Sequence, residues 1–309
     1  MVQVDGYPTV GPAPVRAVGT RVPARFTGSV SAVFDNALNV RVDGDRMIVS
    51  LVTRRSGLSA RAILVGRLPQ GVPVGTVLIA STGAVRALEA HRARASPRPL
   101  LRWDPDRPPG YDGRVTVVTG ENPETAAWTE ATVDALGNGT MRSVARTLRS
   151  VLSASCAGKG GFLSLLGMGA ADAFASKAAG ALSDGRGEEC IGLGIGLTPS
   201  GDDFLTGAML TCDVLGVKCT SISRVRIEER LRDRSATTEV SRTQLLLALD
   251  GHAPAFLLPL LEVIASAAFR PPSVEEVRIA ALNAVSHGHS SGCDAVAGVV
   301  WAIERMNTE

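Results

Sequence analysis

Two short stretches concentrate residue types that could do chemistry. Gly192 to Gly207 reads GLGIGLTPSGDDFLTG, and His287 to Gly298 reads HGHSSGCDAVAG. They share the pattern S-G-x-D-x-x-x-G, with Ser200, Gly201, Asp203 and Gly207 matched by Ser291, Gly292, Asp294 and Gly298. Each stretch reads as a glycine-bearing loop entering a helix, where unpaired backbone amides are available to a ligand. Ser-x-x-Asp before an apolar run is also a capping box, with Ser200 accepting from the amide of Asp203 and the aspartate reaching back. Capping accounts for serine and aspartate but not for the glycines, which cost about 1 kcal/mol each in a helix relative to alanine. Glycine at the first helical position suits a close approach to the backbone, and glycine four residues later suits tight helix packing. Two helix starts converging on one small ligand, with Ser200 to Asp203 close to Ser290 to Asp294, is the expected arrangement.

The residue types restrict that ligand. A Walker loop ends in Gly-Lys-Ser/Thr, whereas Pro199-Ser200-Gly201-Asp202 has no lysine,. The spacing Gly192, Gly194, Gly196 is G-x-G-x-G before a proline, not a dinucleotide fingerprint,. A free phosphate dianion would meet the like charges of Asp202, Asp203 and Asp294. Either a divalent cation such as Mg2+ bridges them or the ligand carries donors, as an amide, carbamoyl or guanidinium-like group does. The metal-free case is favoured, with no cofactor expected. Asp202, Asp203, Asp294 and His289 are therefore candidates for catalysis or polar recognition. Gly194, Gly196, Thr198, Ser200, Gly201, Ser290, Ser291 and Gly292 are candidates for ligand binding. Thr238 and Ser241, three apart on one helix face after Thr237, could line the same pocket or cap a helix.

Other readings compete. His287 and His289 could ligate a metal but lack a clear third ligand. Ser290 or Ser291 beside either histidine could form a hydrolase nucleophile and base, although sequence neighbours seldom face one another correctly. Lys159 in CAGKGGF stands among glycines, which also suits a surface loop. His252 is expected at a helix C-terminus after Gly251, and His91 on the surface.

The elements that must position these residues change character once along the chain. From Phe26 to about Thr119, short β-branched runs (SVSAVF, LNVRV, MIVSLV, AILVG, TVLIA, RVTVVT) alternate with turn residues, with one helical stretch expected around Val85 to Ala95,. Beyond Glu124, apolar residues recur at three- and four-residue steps, as in MRSVARTLRSVL and VEEVRIAALNAV,. The expected architecture is α+β. A small β-rich domain spans 1–120, and a larger, mostly α-helical domain spans 121–309 and carries both signature loops.

Composition bounds the rest. The chain has 309 residues, 45% of them hydrophobic, enough for a core in each of two domains,. A net charge of +2, with arginines interspersed among acids, gives no clustered basic stripe for nucleic acid,. No apolar run reaches the roughly 18 residues needed to span a bilayer, and no secretory signal pattern opens the chain. Five scattered cysteines without a C-x-x-C pair argue against a disulfide framework and a zinc site, so a cytoplasmic, reduced protein is expected,.

GLGIGLTPSGDDFLTG and GHSSGCDAVAG resemble the signature stretches of the AllH family, named for a subunit of bacterial oxamate carbamoyltransferase. GSVSAVFDNALNV and TTEVSRTQLLLALDG also resemble that family. The resemblance implies a part in carbamoyl transfer within purine-nitrogen (allantoin) degradation, a small amide or carbamoyl substrate, and other carbamoyltransferase subunits as partners. It carries no residue-by-residue catalytic roles. A non-catalytic binding or structural subunit and a serine-type amidohydrolase remain the alternatives.

Overall fold

The computed structural model describes residues 13–68, 72–81, 84–88, 99–102, 110–111, 139–159, 161–267 and 270–306. The architecture is α+β, and the chain forms two compact units, Met1–Asp112 and Gly113–Glu309. His91, the RVTVVT run and the expected boundary near Gly120 lie outside the described residues.

The described part of the first unit is a nine-stranded sheet: β1 (Ala13–Gly19), β2 (Arg25–Val33), β3 (Ala37–Val42), β4 (Ile48–Val52), β5 (Ala62–Val65), β6 (Val77–Ser81), β7 (Ala84–Leu88), β8 (Pro99–Arg102) and β9 (Gly110–Tyr111). The order is β5-β4-β3-β2-β6-β7-β8-β1-β9, and β1 also pairs with β5, so eight strands close into a ring. Alternation builds the interior. Phe26, Val30, Leu38, Val40, Val49, Leu51, Ile63 and Val65 form one apolar cluster, while Thr27 and Arg41 face out,. Arg61 is buried and satisfied by Asp45 at 2.7 Å and by the carbonyls of Arg21, Met47 and Ile48, as a buried cation must be.

The helix expected around Val85 to Ala95 is corrected in part. Ala84–Leu88 is strand β7, paired antiparallel with β6 from Val77↔Leu88 to Ser81↔Ala84. A five-residue apolar run fits either period, and sheet pairing decides it. Residues 89–95 lie outside the described residues.

The described part of the second unit is helical: α1 (Thr140–Ser155), α2 (Ala173–Ser183), α3 (Ser200–Leu215), α4 (Arg224–Arg230), α5 (Glu239–Leu249), α6 (Leu258–Ser266), α7 (Val274–Val285) and α8 (Ser291–Met306). α3 is the axle, since of its residues only Ser200 and Asp213 are not buried. α3 and α8 pack directly against each other. A methyl group on Gly207 would lie 1.9 Å from the Ala295 carbonyl oxygen, and one on Gly298 would lie 2.0 Å from that of Phe204. The fourth-position glycines therefore do what the sequence suggested, letting two backbones meet. Phe204 packs between Phe162 and Trp301, with ring centroids 5.7 and 5.6 Å away. α1 is joined to α8 by Arg149–Glu304 at 2.6 Å and by a Cys156–Cys293 disulfide.

That disulfide corrects the expectation of five reduced cysteines. The two residues are separated by 137 positions, and spacing rules cannot see a pairing created by tertiary packing. Cys190, Cys212 and Cys219 are not in disulfides. Among the described residues, no helix is long and apolar enough to cross a membrane.

Candidate functional site

The loop ahead of α3 is shaped by its glycines. Gly192 has φ +77 and Gly194 φ +127, both in the region that favours glycine, and a side chain on Gly194 would lie 2.5 Å from the Ser200 amide nitrogen. Pro199 is the N-cap of α3, with no side-chain capping bond. Ser200 is thus already helical, which corrects the capping-box reading of Ser200 and Asp203. The physical reason is Pro199, whose extended backbone starts the helix one residue early and turns both side chains toward tertiary partners.

The three aspartates are fully buried but do not converge on one point. Asp202 faces away from the other two. Its Oδ1 accepts from the Gly192 amide at 2.9 Å, and its Oδ2 from the Thr237 hydroxyl. Adjacent helix residues point about 100° apart, so Asp202 and Asp203 serve different neighbours. Asp203 Oδ1 accepts from Gln244 Nε2 of α5 at 3.0 Å. Asp294 Oδ1 accepts from the Phe162 amide at 2.7 Å. Gly161 makes room for it, because a side chain there would lie 2.1 Å from the same oxygen.

Asp203 and Asp294 belong to one crosswise cluster. Thr198 Oγ1 and Ser291 Oγ are 2.6 Å apart, so the two signature segments touch. The hydroxyls of Ser291 and Thr198 lie near Asp203, and those of Ser200 and Ser290 lie near Asp294, each favouring the charged form. Their outer oxygens, Asp203 Oδ2 and Asp294 Oδ2, are buried with no hydrogen-bond partner among the described residues. Burial is the main cause that raises all three carboxyls. It takes Asp202 and Asp294 to about 6 and Asp203 well above the ordinary range, where the charge of Asp294 adds to the effect.

The remaining candidates fall into place around this cluster. The glycines at the first helical positions meet their own chain rather than a ligand. A side chain on Gly201 would lie 2.0 Å from the Cys190 carbonyl oxygen, and one on Gly292 would lie 2.1 Å from that of Ala284. Gly196, with φ +95, faces open space beside Ile195, which is 84% exposed. Thr238 caps α5, accepting from the Ser241 amide at 3.1 Å and donating to the Leu197 carbonyl at 2.5 Å. Ser241 is buried beside Asp202.

His289 is exposed, and His287 stacks on Phe256 with centroids 4.1 Å apart, so the two do not form a ligand pair. His252 is buried just after α5, where its amide donates to the Leu247 carbonyl at 2.8 Å, the expected helix-end position. No group of three or more His, Cys, Asp or Glu among the described residues could hold a metal ion. Thr237, Gln244 and Phe162, which supply the bonds to the carboxylates, were not among the sequence candidates. A lone glutamine inside the apolar run TQLLLAL was the available signal for Gln244.

Cavities of about 500 and 260 Å3 lie elsewhere, one lined by Arg25, Asp43 and Arg46 and the other by Thr140, Ser143 and Val274. Neither touches the carboxylate cluster. The cluster is the better candidate because its orphan oxygens need a partner, while the cavity linings show no comparable demand.

Residues 190–303 match the family model described as oxamate carbamoyltransferase subunit AllH. The match takes in both signature segments, the α5 segment and all but the end of α8, so this part of the chain is AllH-like. No curated protein and no solved structure matches the chain.

Proposed function

With the AllH-like segment as premise, we propose that the chain serves as a subunit of a carbamoyltransferase system, and that the Asp203–Asp294 cluster recognises a small amide or carbamoyl group. The observation that carries the reading is the pair of buried, partnerless oxygens where two like-patterned helix starts meet. A primary amide presents two N–H donors on one nitrogen, enough to satisfy one oxygen from each helix, while its carbonyl can accept from the Ser291 or Thr198 hydroxyl. With one proton retained by the pair, the same groups could hand a proton to a leaving nitrogen. Substrate must displace part of the covering structure to arrive, and on this reading the Gly192–Thr198 loop, with its exposed Ile195 and Leu197, is the part that yields. Other subunits of the system would dock around this mouth.

A Mg2+ ion fits less well. It would need six near-octahedral oxygens and usually keeps several waters, whereas two orphan carboxylate oxygens at a site without solvent exposure offer neither the ligands nor the room. Ser290 and Ser291 are not engaged by either histidine, so serine hydrolysis draws no support. The complete burial of the carboxylates favours one second reading, a non-catalytic subunit in which the cluster only locks α3 to α8. Calorimetry of the purified chain with oxamate and with carbamoyl phosphate, alone and with its partner subunits, separates the readings. Binding by wild type and at least tenfold weaker binding by Asp203→Asn, at a melting temperature no lower than that of wild type, supports recognition. Equal heats for the two proteins would leave only the locking role.

A further inference from the structure

The Cys156–Cys293 bond lies one residue from Asp294 and at the far end of the short segment that supplies Asp294 with its amide donor. Cys156 closes α1: its amide donates to the Leu152 carbonyl, and its own carbonyl accepts from the Lys159 amide at 3.1 Å. Six residues after Cys156, the Phe162 amide donates to Asp294 Oδ1 at 2.7 Å. The segment between is tied to consecutive residues of α8, by a covalent bond at Cys293 and by a hydrogen bond at Asp294. Gly158 and Gly161, with φ +76 and +80, bend the chain between the two ties. Farther along, Arg149–Glu304 holds α1 to α8 independently of the sulfurs. The covalent tie therefore governs this short segment and not the helix pairing.

We propose that the Cys156–Cys293 pair is a reversible redox modification site that sets the order of the Cys156–Lys159 turn and of the Phe162 amide, and with it the hydrogen bonding of Asp294. In the forward step a dithiol reductant attacks one sulfur as its thiolate. The Cys156–Cys293 bond breaks through a mixed disulfide, two protons and two electrons pass to the cysteines, and the reductant leaves as its own disulfide. Both sulfurs are fully buried, so reduction waits on local opening and is slow with small monothiols. Cys190 is a poor competitor for the bond, since burial pushes it up to about 12 and keeps it protonated,. In the reduced state the covalent tie is gone and the Phe162 amide is held by its hydrogen bond and by the packing of its ring on Phe204, so faster opening there leaves Asp294 Oδ1, like Oδ2, without its donor for part of the time.

The test is alkylation-quenched mass spectrometry joined to amide hydrogen exchange on the full chain, before and after treatment with dithiothreitol. Expected are three alkylated cysteines before reduction and five after, with Phe162 amide exchange at least about tenfold faster in the reduced protein while the α1 amides keep their protection. A Cys156→Ala/Cys293→Ala variant should behave as the reduced protein whether or not dithiol is present. Five alkylated cysteines in protein isolated without reductant would overturn the proposal. So would unchanged Phe162 exchange after complete reduction, or loss of protection throughout α1 and α8, which would make the bond a general staple.

Discussion

Replacing Asp294 by asparagine should make the stability of the helical unit less dependent on pH. Burial raises the Asp294 carboxyl from 3.8 to about 6, so the folded state holds its proton more tightly than the unfolded chain. Below the unfolded value both states are protonated and nothing is lost. Between the two values the native state must either keep its proton or carry a buried charge, so stability falls as pH rises, and above about 6 the full penalty is in place. At about 1.4 kcal/mol for each pH unit of displacement, the group costs on the order of 3 kcal/mol at neutral pH. Asparagine keeps Oδ1 as acceptor for the Phe162 amide and places a donor at the buried, partnerless Oδ2 position, so the geometry survives while the charge goes.

The assay is urea unfolding followed by far-ultraviolet circular dichroism. The stability of the variant relative to wild type should rise by about 2–3 kcal/mol between about pH 4.5 and pH 7.5. Asp202 and Asp203 remain in both proteins, and their contributions largely cancel in the difference, apart from some relief of Asp203 by the lost neighbouring charge. A difference that stays flat across that range would show that Asp294 is not a buried titrating carboxyl, and the charge argument for the cluster would fall with it.

Gly207→Ala should destabilise by about 1–3 kcal/mol or more in thermal or urea unfolding, because the new methyl meets the Ala295 carbonyl and overpacks a backbone contact,. Gly180→Ala is the control: it lies in α2 with open space around it, so improved helix propensity should stabilise by up to about 1 kcal/mol. Ser273→Ala removes the reciprocal capping box with Glu276 and should cost about 1 kcal/mol without touching ligand binding measured by calorimetry. Binding heats for an amide ligand should be the same with and without a chelator. Affinity that disappears on chelation and returns with magnesium would replace the donor-rich ligand with a metal-bridged phosphate.

The repeated S-G-x-D-x-x-x-G pattern placed both halves of the site in contact because it is a local code for a helix start that something must approach closely. What approaches is another stretch of the same chain. Gly201 and Gly292 yield to Cys190 and Ala284, and Gly207 and Gly298 to the partner helix. Strands β2 to β6 of the first unit were legible for the same reason, since alternating β-branched residues and turn signals are local, whereas β7 was read as helix and β1, β8 and β9 were not read at all. Gln244, Thr237 and the Phe162 amide reach the aspartates from 35 to 132 positions away, and no local pattern announces such a meeting. Cys156 and Cys293 were illegible on the same ground. The capping box was misread at Ser200 because the pattern is identical whether the aspartate folds back on its own turn or reaches across to α5. It was found instead at Ser273 and Glu276.

The two crossed glycines make the spacing of α3 and α8 a calliper for the carboxyls they carry. Gly207 sits four residues beyond Asp203 and Gly298 four beyond Asp294, so on each helix the residue that sets the interhelical gap is one turn from the residue that uses it. Coulomb repulsion falls with distance and the room for an interposed atom grows with it, so widening the gap by the width of a methyl would ease the proton affinity of Asp203, to which the charge of Asp294 contributes, while enlarging the space between the two helix starts. On the proposed reading, the acidity of Asp203 and the size of what can sit between the two carboxyls are thus one mechanical quantity. A chain that kept both aspartates but exchanged either glycine for alanine would, on that reading, be tuned to a different ligand.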